Sequence, residues 1–407
     1  MTLVRMAWRN LWRNPRRTLI TLFSMIFGLT MMIVGYALMD GMLDQMVHYA
    51  TLLGTGHVQI HHPEYLEDHS LYDTMPSTPE AIAAASGFGE AAPRIFATAL
   101  VSSGKQSAGG QLWGIDPARE SNVTELHKHL SEGRWLEPEA REQVVLGKNI
   151  ARTLSVRPGD EIIVLTQAAD GSLGNAIFTV SGVFKSIGEA VDRGGVFMHI
   201  DDLATLLVLD GKIHEIAVRL DEPDNLDLAR AGIQEHLDPE QYKVEDWKQL
   251  LPELSEYLRL SSSSMGIMLL VIFAVAGLGI VNTQLMALFE RTREIGIMRA
   301  LGMGPFPVAA LLLIETIFLA LMAAAAGGVT GSLWSLHLEK NGWDISWMGG
   351  SFDFVGVAFD PHMYATLTLE AVFQSVAIMF IVVLVVILYP LFRATRISPV
   401  DAIGRGR

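Results

Sequence analysis

Asn282-Thr283-Gln284-Leu285-Met286-Ala287-Leu288-Phe289-Glu290-Arg291-Thr292-Arg293-Glu294-Ile295-Gly296-Ile297-Met298-Arg299-Ala300-Leu301-Gly302 joins two membrane-length apolar runs through a short charged stretch. Its spacing fits a compact helix: Glu290 and Arg293 stand at i,i+3 and Ile297 and Leu301 at i,i+4, so each pair shares a helical face. A stretch of this length is too short to form a domain. At a membrane face it suits docking on another protein and passing on that partner's motion.

The rest of the chain has the composition that such a reading requires. Half of its 407 residues are hydrophobic, and spanning a bilayer takes about 20 apolar residues. Four segments qualify, and the predicted spans are 18–39, 260–289, 306–336 and 368–390. The first carries no charge between Arg17 and Asp40. It is longer than the roughly 7–15 apolar residues of a signal peptide and no small-x-small cleavage site follows it, so it is expected to stay as an anchor.

Sidedness follows from the basic residues. Arg5, Arg9, Arg13, Arg16 and Arg17, then Arg291, Arg293 and Arg299, then Arg393, Arg396, Arg405 and Arg407 make twelve cations. Against them stand three acids, Glu290, Glu294 and Asp401, which leaves +9 in these clusters and −23 elsewhere in a chain of −14. Both ends and the charged stretch are therefore expected on the cytoplasmic side. Cations split among three membrane flanks form no stripe for DNA or RNA, so no nucleic-acid role is indicated. The absence of cysteine excludes disulfides, Cys-ligated zinc and thiol catalysis.

Residues 1–17 read as an amphipathic helix at the inner face, with Trp8 and Trp12 beside Arg5, Arg9 and Arg13. Segment 40–259 reads as a large extracytoplasmic α+β domain. His57 to His61 alternates as a strand does, with more strands expected at 142–146, 161–166, 178–183, 195–200 and 215–220. Helices are expected at 201–209, capped by Asp201, and at 226–237. The remaining assignments are a coupling segment at 290–305, an outer loop at 337–367 and a cytoplasmic tail at 391–407. Pro390 is expected to end or bend the fourth span.

The wording from Asn282-Thr283 through Glu290-Arg291-Thr292-Arg293-Glu294-Ile295-Gly296 to Arg299-Ala300-Leu301-Gly302 resembles the FtsX-like permease family of ABC transporters. So do Ala7-Trp8-Arg9-Asn10-Leu11-Trp12-Arg13-Asn14-Pro15 at the start and Tyr389-Pro390-Leu391-Phe392-Arg393 through Ile397-Ser398-Pro399-Val400-Asp401-Ala402 at the end. Gln143 to Ala151, Arg157-Pro158-Gly159-Asp160 and Val180 to Phe184 resemble the periplasmic core of MacB-type and lipoprotein-releasing permeases. The resemblance implies four transmembrane helices with that core between the first and second, in a bacterial inner membrane. It implies that Glu290, Arg291, Arg293, Glu294, Ile297 and Arg299 couple to a dimer of ATPase subunits, which would bind the ATP and magnesium. Further implied partners are a second permease subunit and a periplasmic lipoprotein carrier or membrane-fusion adaptor. The cargo would be a lipoprotein or other hydrophobic substrate; efflux of small molecules or peptides, or activation of a cell-wall hydrolase, are the alternatives.

The chain itself lacks a phosphate-binding loop. At Gly104-Lys105, Gly147-Lys148 and Gly211-Lys212 the required earlier glycine is replaced by Ala99, Glu142 and Leu206. No catalytic constellation or cofactor site stands out, and no metal site is expected: His57 and His61 share a strand face but lack an evident third ligand, while His62 points away. Glu315 lies roughly 13–14 Å into the third span when counted from Phe306 at 1.5 Å per residue. A charge at the centre of a span costs about 2.5–3.5 kcal/mol on insertion scales, so Glu315 is expected to face a partner helix or be protonated. Gly277, Gly279, Gly327, Gly328 and Gly331 suit close helix approach.

Overall fold

The computed structural model describes residues 2–290, 292–348, 352–354, 357–359 and 362–396. They divide into two compact units: Met1–Asp44 with Leu258–Ile345 and His362–Arg407, and Gln45–Tyr257 with Ser346–Pro361.

The first unit is helical. Its elements are α1 (Thr2–Leu11), α2 (Pro15–Ala50), α3 (Pro252–Glu290), α4 (Thr292–Ala300), α5 (Pro305–Asn341) and α6 (Leu369–Thr395), of which α2 and α3 run on into the second unit. Among the described residues three helices are long and apolar enough to cross a membrane, starting at Pro15, Pro305 and Leu369. Helix α3 is 39 residues long. The helices overrun the predicted spans because hydropathy marks only the lipid-exposed part, whereas a helix continues until a breaker. Thus α2 extends to Ala50 and, through a wide turn at Thr51–Thr55, to Gly56, whose φ of 74° stops it. Pro390 does not end α6, which runs on to Thr395. A proline deletes one backbone hydrogen bond, and the buried Pro390 and Ala394 keep the last turns on the unit's core.

That core joins α2, α5 and α6 through Leu29, Met32 and Ile33 against Leu319, Ala320 and Ala323 and against Met379, Val382 and Val383. Gly331 is what lets α5 approach α2, since a Cβ there would stand 3.0 Å from the Ile33 side chain. The Thr30 and Thr330 hydroxyls meet at 2.7 Å across the same seam.

The second unit is α+β, as the sequence predicts. The strands of its main sheet are β1 (Val58–His61), β2 (Gly89–Ser103), β3 (Gln106–Ile115), β4 (Leu130–Gly133), β5 (Gln143–Leu146), β6 (Glu161–Gln167), β7 (Leu173–Phe184), β8 (Gly195–His199), β9 (Glu215–Leu220) and β10 (Lys243–Asp246). They form one sheet in the order β10-β1-β9-β2-β3-β8-β5-β7-β4. Strand β6 pairs with both β2 and β7, so six strands close on themselves. Pairing is antiparallel except β3 with β8 and β5 with β7. The expected helices lie at Ile200–Leu207 and Leu226–Glu235. The first is capped by His199, whose ring accepts from the Asp201 N–H, and not by Asp201 itself. Asp201 instead adds negative charge to the first turn, where the helix dipole favours it.

Candidate functional site

Helix α4 is nine residues long and is closed by a Schellman turn. Gly302, at φ 99°, donates to the Arg299 carbonyl at 3.1 Å, and Met303 donates to the Met298 carbonyl at 3.0 Å. Gly302 is the residue that a left-handed position needs, because a Cβ would be strained there. The cap turns the chain into Pro305, the first residue of α5.

Beneath the helix lies a small core. Ile295 packs with Leu288 of α3, Val308 and Leu312 of α5, and Ala394 of α6, with Met298, Met303 and Leu391 around them. This core joins α4 to three long helices, and Arg299 Nη1 adds a bond to the Thr395 carbonyl at 3.3 Å. Interior packing is dense, so α4 and these helix ends form one packed unit. The opposite face is open: Ile297 is 45% exposed and Leu301 83%, and Phe306 beyond the turn is 82% exposed.

Charge ties α4 to the N-terminal segment. Arg13 Nη2 lies 2.8 Å from Glu294 Oε1, and Arg17 Nη1 lies 3.0 Å from Glu290 Oε2. Both pairs are partly exposed, and such pairs contribute about 0–1 kcal/mol each. Their value is geometric: α2 begins where α3 ends and α4 follows. The structure therefore gives Glu290 and Glu294 complementary charges within the chain, in addition to any that a partner offers. Arg293 is exposed, and Arg291 lies outside the described residues, as does the tail beyond 396.

Glu315 is 5% exposed and accepts a hydrogen bond from Asn10 Nδ2 at 2.8 Å. One turn further on, Phe318 meets the Trp8 ring edge-on at 5.6 Å. Helix α1 thus packs against α5 instead of only floating among headgroups. Helix α5 spans 37 residues, about 55 Å at 1.5 Å per residue, against a hydrocarbon layer of about 30 Å. Its first turns hold Val308 and Leu312 in the core beneath α4, and Glu315 follows three residues after Leu312.

The sequence comparisons agree with this architecture. Residues 18–236 match the MacB-like periplasmic core domain, and residues 266–399 match the FtsX-like permease C-terminal domain. The chain belongs to the MacB- and FtsX-type permeases of ABC transporters. This permease is 26% identical over 402 residues to the lipoprotein-releasing system transmembrane protein LolC of Xylella fastidiosa, covering 94% of this chain and 92% of that one. It is 25% identical to the corresponding LolE of Haemophilus influenzae, with 96% of both chains covered. It is 24% identical to the macrolide export ATP-binding/permease protein MacB of Brucella abortus, covering 89% of this chain and 55% of that one.

In the α+β unit of the permease His57 and His61 make structural hydrogen bonds. His57 Nδ1 accepts from the Leu220 N–H at 3.0 Å, and burial together with Arg219 and His48 lowers its pKa to about 4. His61 bonds Glu245 at 3.2 Å. His62 comes close to Glu64 and Asp73, a group capable of holding a cation; Asp73 is eleven residues on, beyond the reach of strand spacing. The network missed altogether in sequence is Arg94, fully buried and bidentate to Glu120 at 2.7 and 3.1 Å, with Glu215 at 2.9 Å. Burial opposes the guanidinium charge, but the two carboxylates outweigh it and raise its pKa. Strands β2, β6 and β7 also show an outward apolar face: Leu100, Ile163, Leu165 and Ile177 are all exposed, and Ile163 stands opposite Ile177 and Leu100 opposite Leu165.

Proposed function

We propose that this permease couples ATP hydrolysis on a separate ATPase dimer to the extraction or export of a lipoprotein or other hydrophobic substrate. The observation that carries the reading is α4: an apolar knob of Ile297 and Leu301 faces outward while Ile295, behind it, belongs to a core shared with three long helices. In this reading α3 is the second of four spans, both chain ends and α4 are cytoplasmic, and the α+β unit is periplasmic in a bacterial inner membrane. ATP-driven closure of the ATPases pushes α4, and the spans carry the displacement to the outer unit. The chain acts as a non-catalytic subunit beside a second permease, with ATP and magnesium on the partner.

Near-complete coverage of the LolC and LolE relatives, against about half of the MacB relative, favours lipoprotein release over efflux. The apolar face around Ile163 and Ile177 suits a periplasmic carrier that receives a hydrophobic cargo. Reconstitution tests this. In proteoliposomes holding permease and ATPase, ATP should drive release of an acylated lipoprotein to a carrier protein, and the permease alone should hydrolyse no ATP. Hydrolysis by the lone chain, or ATP-driven efflux of small molecules without lipoprotein release, would refute the reading.

A further inference from the structure

Between α5 and α6 the chain forms a short antiparallel strand pair, Trp343–Asp344 with His362–Met363, that the coupling reading leaves unused. The segment that follows the second strand is fixed to α2. The Thr366 N–H donates to the Ala37 carbonyl at 2.8 Å, and a Cβ on Gly41 would clash with the Tyr364 carbonyl, so the glycine admits this close approach. The Tyr364 ring in turn lies over Gly342, where a Cβ would stand 3.1 Å from it, and Trp343 follows opposite Met363. All of these residues belong to the helical unit.

Helix α2 sets the level of this strand pair against the bilayer. Its uncharged residues, 18–39, rise about 33 Å at 1.5 Å per residue, which matches one hydrocarbon layer of about 30 Å. One boundary therefore falls near Arg17, whose guanidinium meets Glu290 just before α4, and the other near Asp40. The contacts at Ala37 and Gly41 straddle the second boundary. At that level Trp343 is 49% exposed and Tyr364 41%. Exposed apolar residues continue from them along two helices long and apolar enough to cross a membrane, Leu333 and Trp334 on α5 and Leu369 and Phe373 on α6. An indole or a phenol, apolar in body with one polar tip, suits the headgroup layer. Trp8 and Trp12 of α1, beside the first boundary, are exposed as well.

We propose that the strand pair is a lipid anchor: Trp343 and Tyr364 enter the headgroup layer at the end of the spans away from α4 and fix the level at which α2 leaves the hydrocarbon. The occupant is the lipid surface, because the aromatic patch continues the exposed apolar surface of α5 and α6. Such an anchor needs only that the chain spans a membrane. It works in either orientation and without an ATPase, so a failed anchor leaves the coupling reading standing.

The chain lacks cysteine, so single cysteines can carry a nitroxide spin label in the full chain held in phosphatidylcholine nanodiscs. Labels at Trp343→Cys and Tyr364→Cys, each keeping the other aromatic residue, are compared with Ser172→Cys, on an exposed loop of the α+β unit, and Ile381→Cys, at an exposed position midway along α6. Power-saturation EPR reads collisions with a water-soluble nickel chelate and with oxygen, which concentrates in hydrocarbon. Both labels should meet the chelate at least about threefold less than Ser172→Cys and at least about threefold more than Ile381→Cys. In a Trp343→Ser, Tyr364→Ser double variant, shown by thermal unfolding to be folded, a label at Leu43→Cys on α2 should change its chelate-to-oxygen ratio at least about twofold relative to the same label with both aromatic residues present. Chelate access equal to that at Ser172→Cys or at Ile381→Cys, access to neither quencher, as beneath a second copy or another protein, or an unchanged Leu43 label would overturn the anchor.

Discussion

Replacing Ile297 and Leu301 together by alanine removes the outward knob of α4 while sparing the core behind it. Fully burying such a side chain contributes about 1.5–3 kcal/mol. With Leu301 83% exposed and Ile297 45% exposed, docking has nearly all of the first and about half of the second still to gain. Scaling gives about 1.2–2.5 and about 0.7–1.3 kcal/mol, and the methyl retained by alanine leaves about 1.5–3 kcal/mol for the pair. At 1.4 kcal/mol per decade the Kd of the ATPase subunit should rise about 10- to 150-fold. Binding is measured on nanodisc-held permease by interferometry, with thermal unfolding alongside. Stability should change by no more than about 0.5 kcal/mol, because both sites are exposed. By contrast, Leu312→Ala, in the core beneath, should cost about 2–5 kcal/mol of stability. A Kd within about twofold of wild type for the double variant would refute the docking assignment.

Other consequences are as specific. Arg94→Met strands Glu120 and Glu215 without their cation, and unfolding by denaturant should show a loss of about 3–5 kcal/mol. His214 accepts from the Phe96 N–H through Nδ1 and meets the Leu71 carbonyl through Nε2, at 3.0 and 3.2 Å. The neutral tautomer satisfies both, and burial lowers its pKa to about 4, as for His57. The unfolded chain therefore binds more protons between pH 6.5 and about 4. Stability should be complete above pH 6.5 and fall as pH drops through that window, by up to about 1.4 kcal/mol per pH unit for each histidine. Denaturant titrations at pH 7, 6 and 5 read this slope, which His214→Gln should reduce. Gly331→Leu should destabilise the helical unit by about 1–3 kcal/mol, read as a lower Tm in nanodiscs, because the Ile33 side chain stands only 3.0 Å from where the new Cβ would go.

The sequence exposes what is local and periodic. The strands at 143–146, 161–167 and 215–220 alternate or carry β-branched runs, and the apolar stretches announce themselves by length. It conceals what depends on distant pairing. The hairpin of β2 and β3 is rich in alanine and glycine, so its propensity is low, and tertiary packing of Phe96 against Trp113 decides it. Glu290 and Glu294 read as solvent-facing because the arginines that meet them stand 273 and 281 residues away. Arg94, Glu120 and Glu215 are likewise distant in sequence, and no local rule distinguishes a buried arginine from an exposed one. Pro390 signals a helix boundary because it lacks a backbone donor, but the burial of Pro390 and Ala394 holds the last turns, which run on to Thr395.

The central claim is that motion of α4 reaches the spans through its clamp and core, and the ATP consumed per substrate released tests it most directly. In proteoliposomes with the ATPase, Glu290→Lys with Glu294→Lys should raise that ratio severalfold by setting like charges against Arg17 and Arg13. Adding Arg13→Glu and Arg17→Glu, which restores opposite charges in swapped places, should return it toward the wild-type value. An unchanged ratio in the first variant, or no recovery in the second while the ATPase remains bound, would contradict the account.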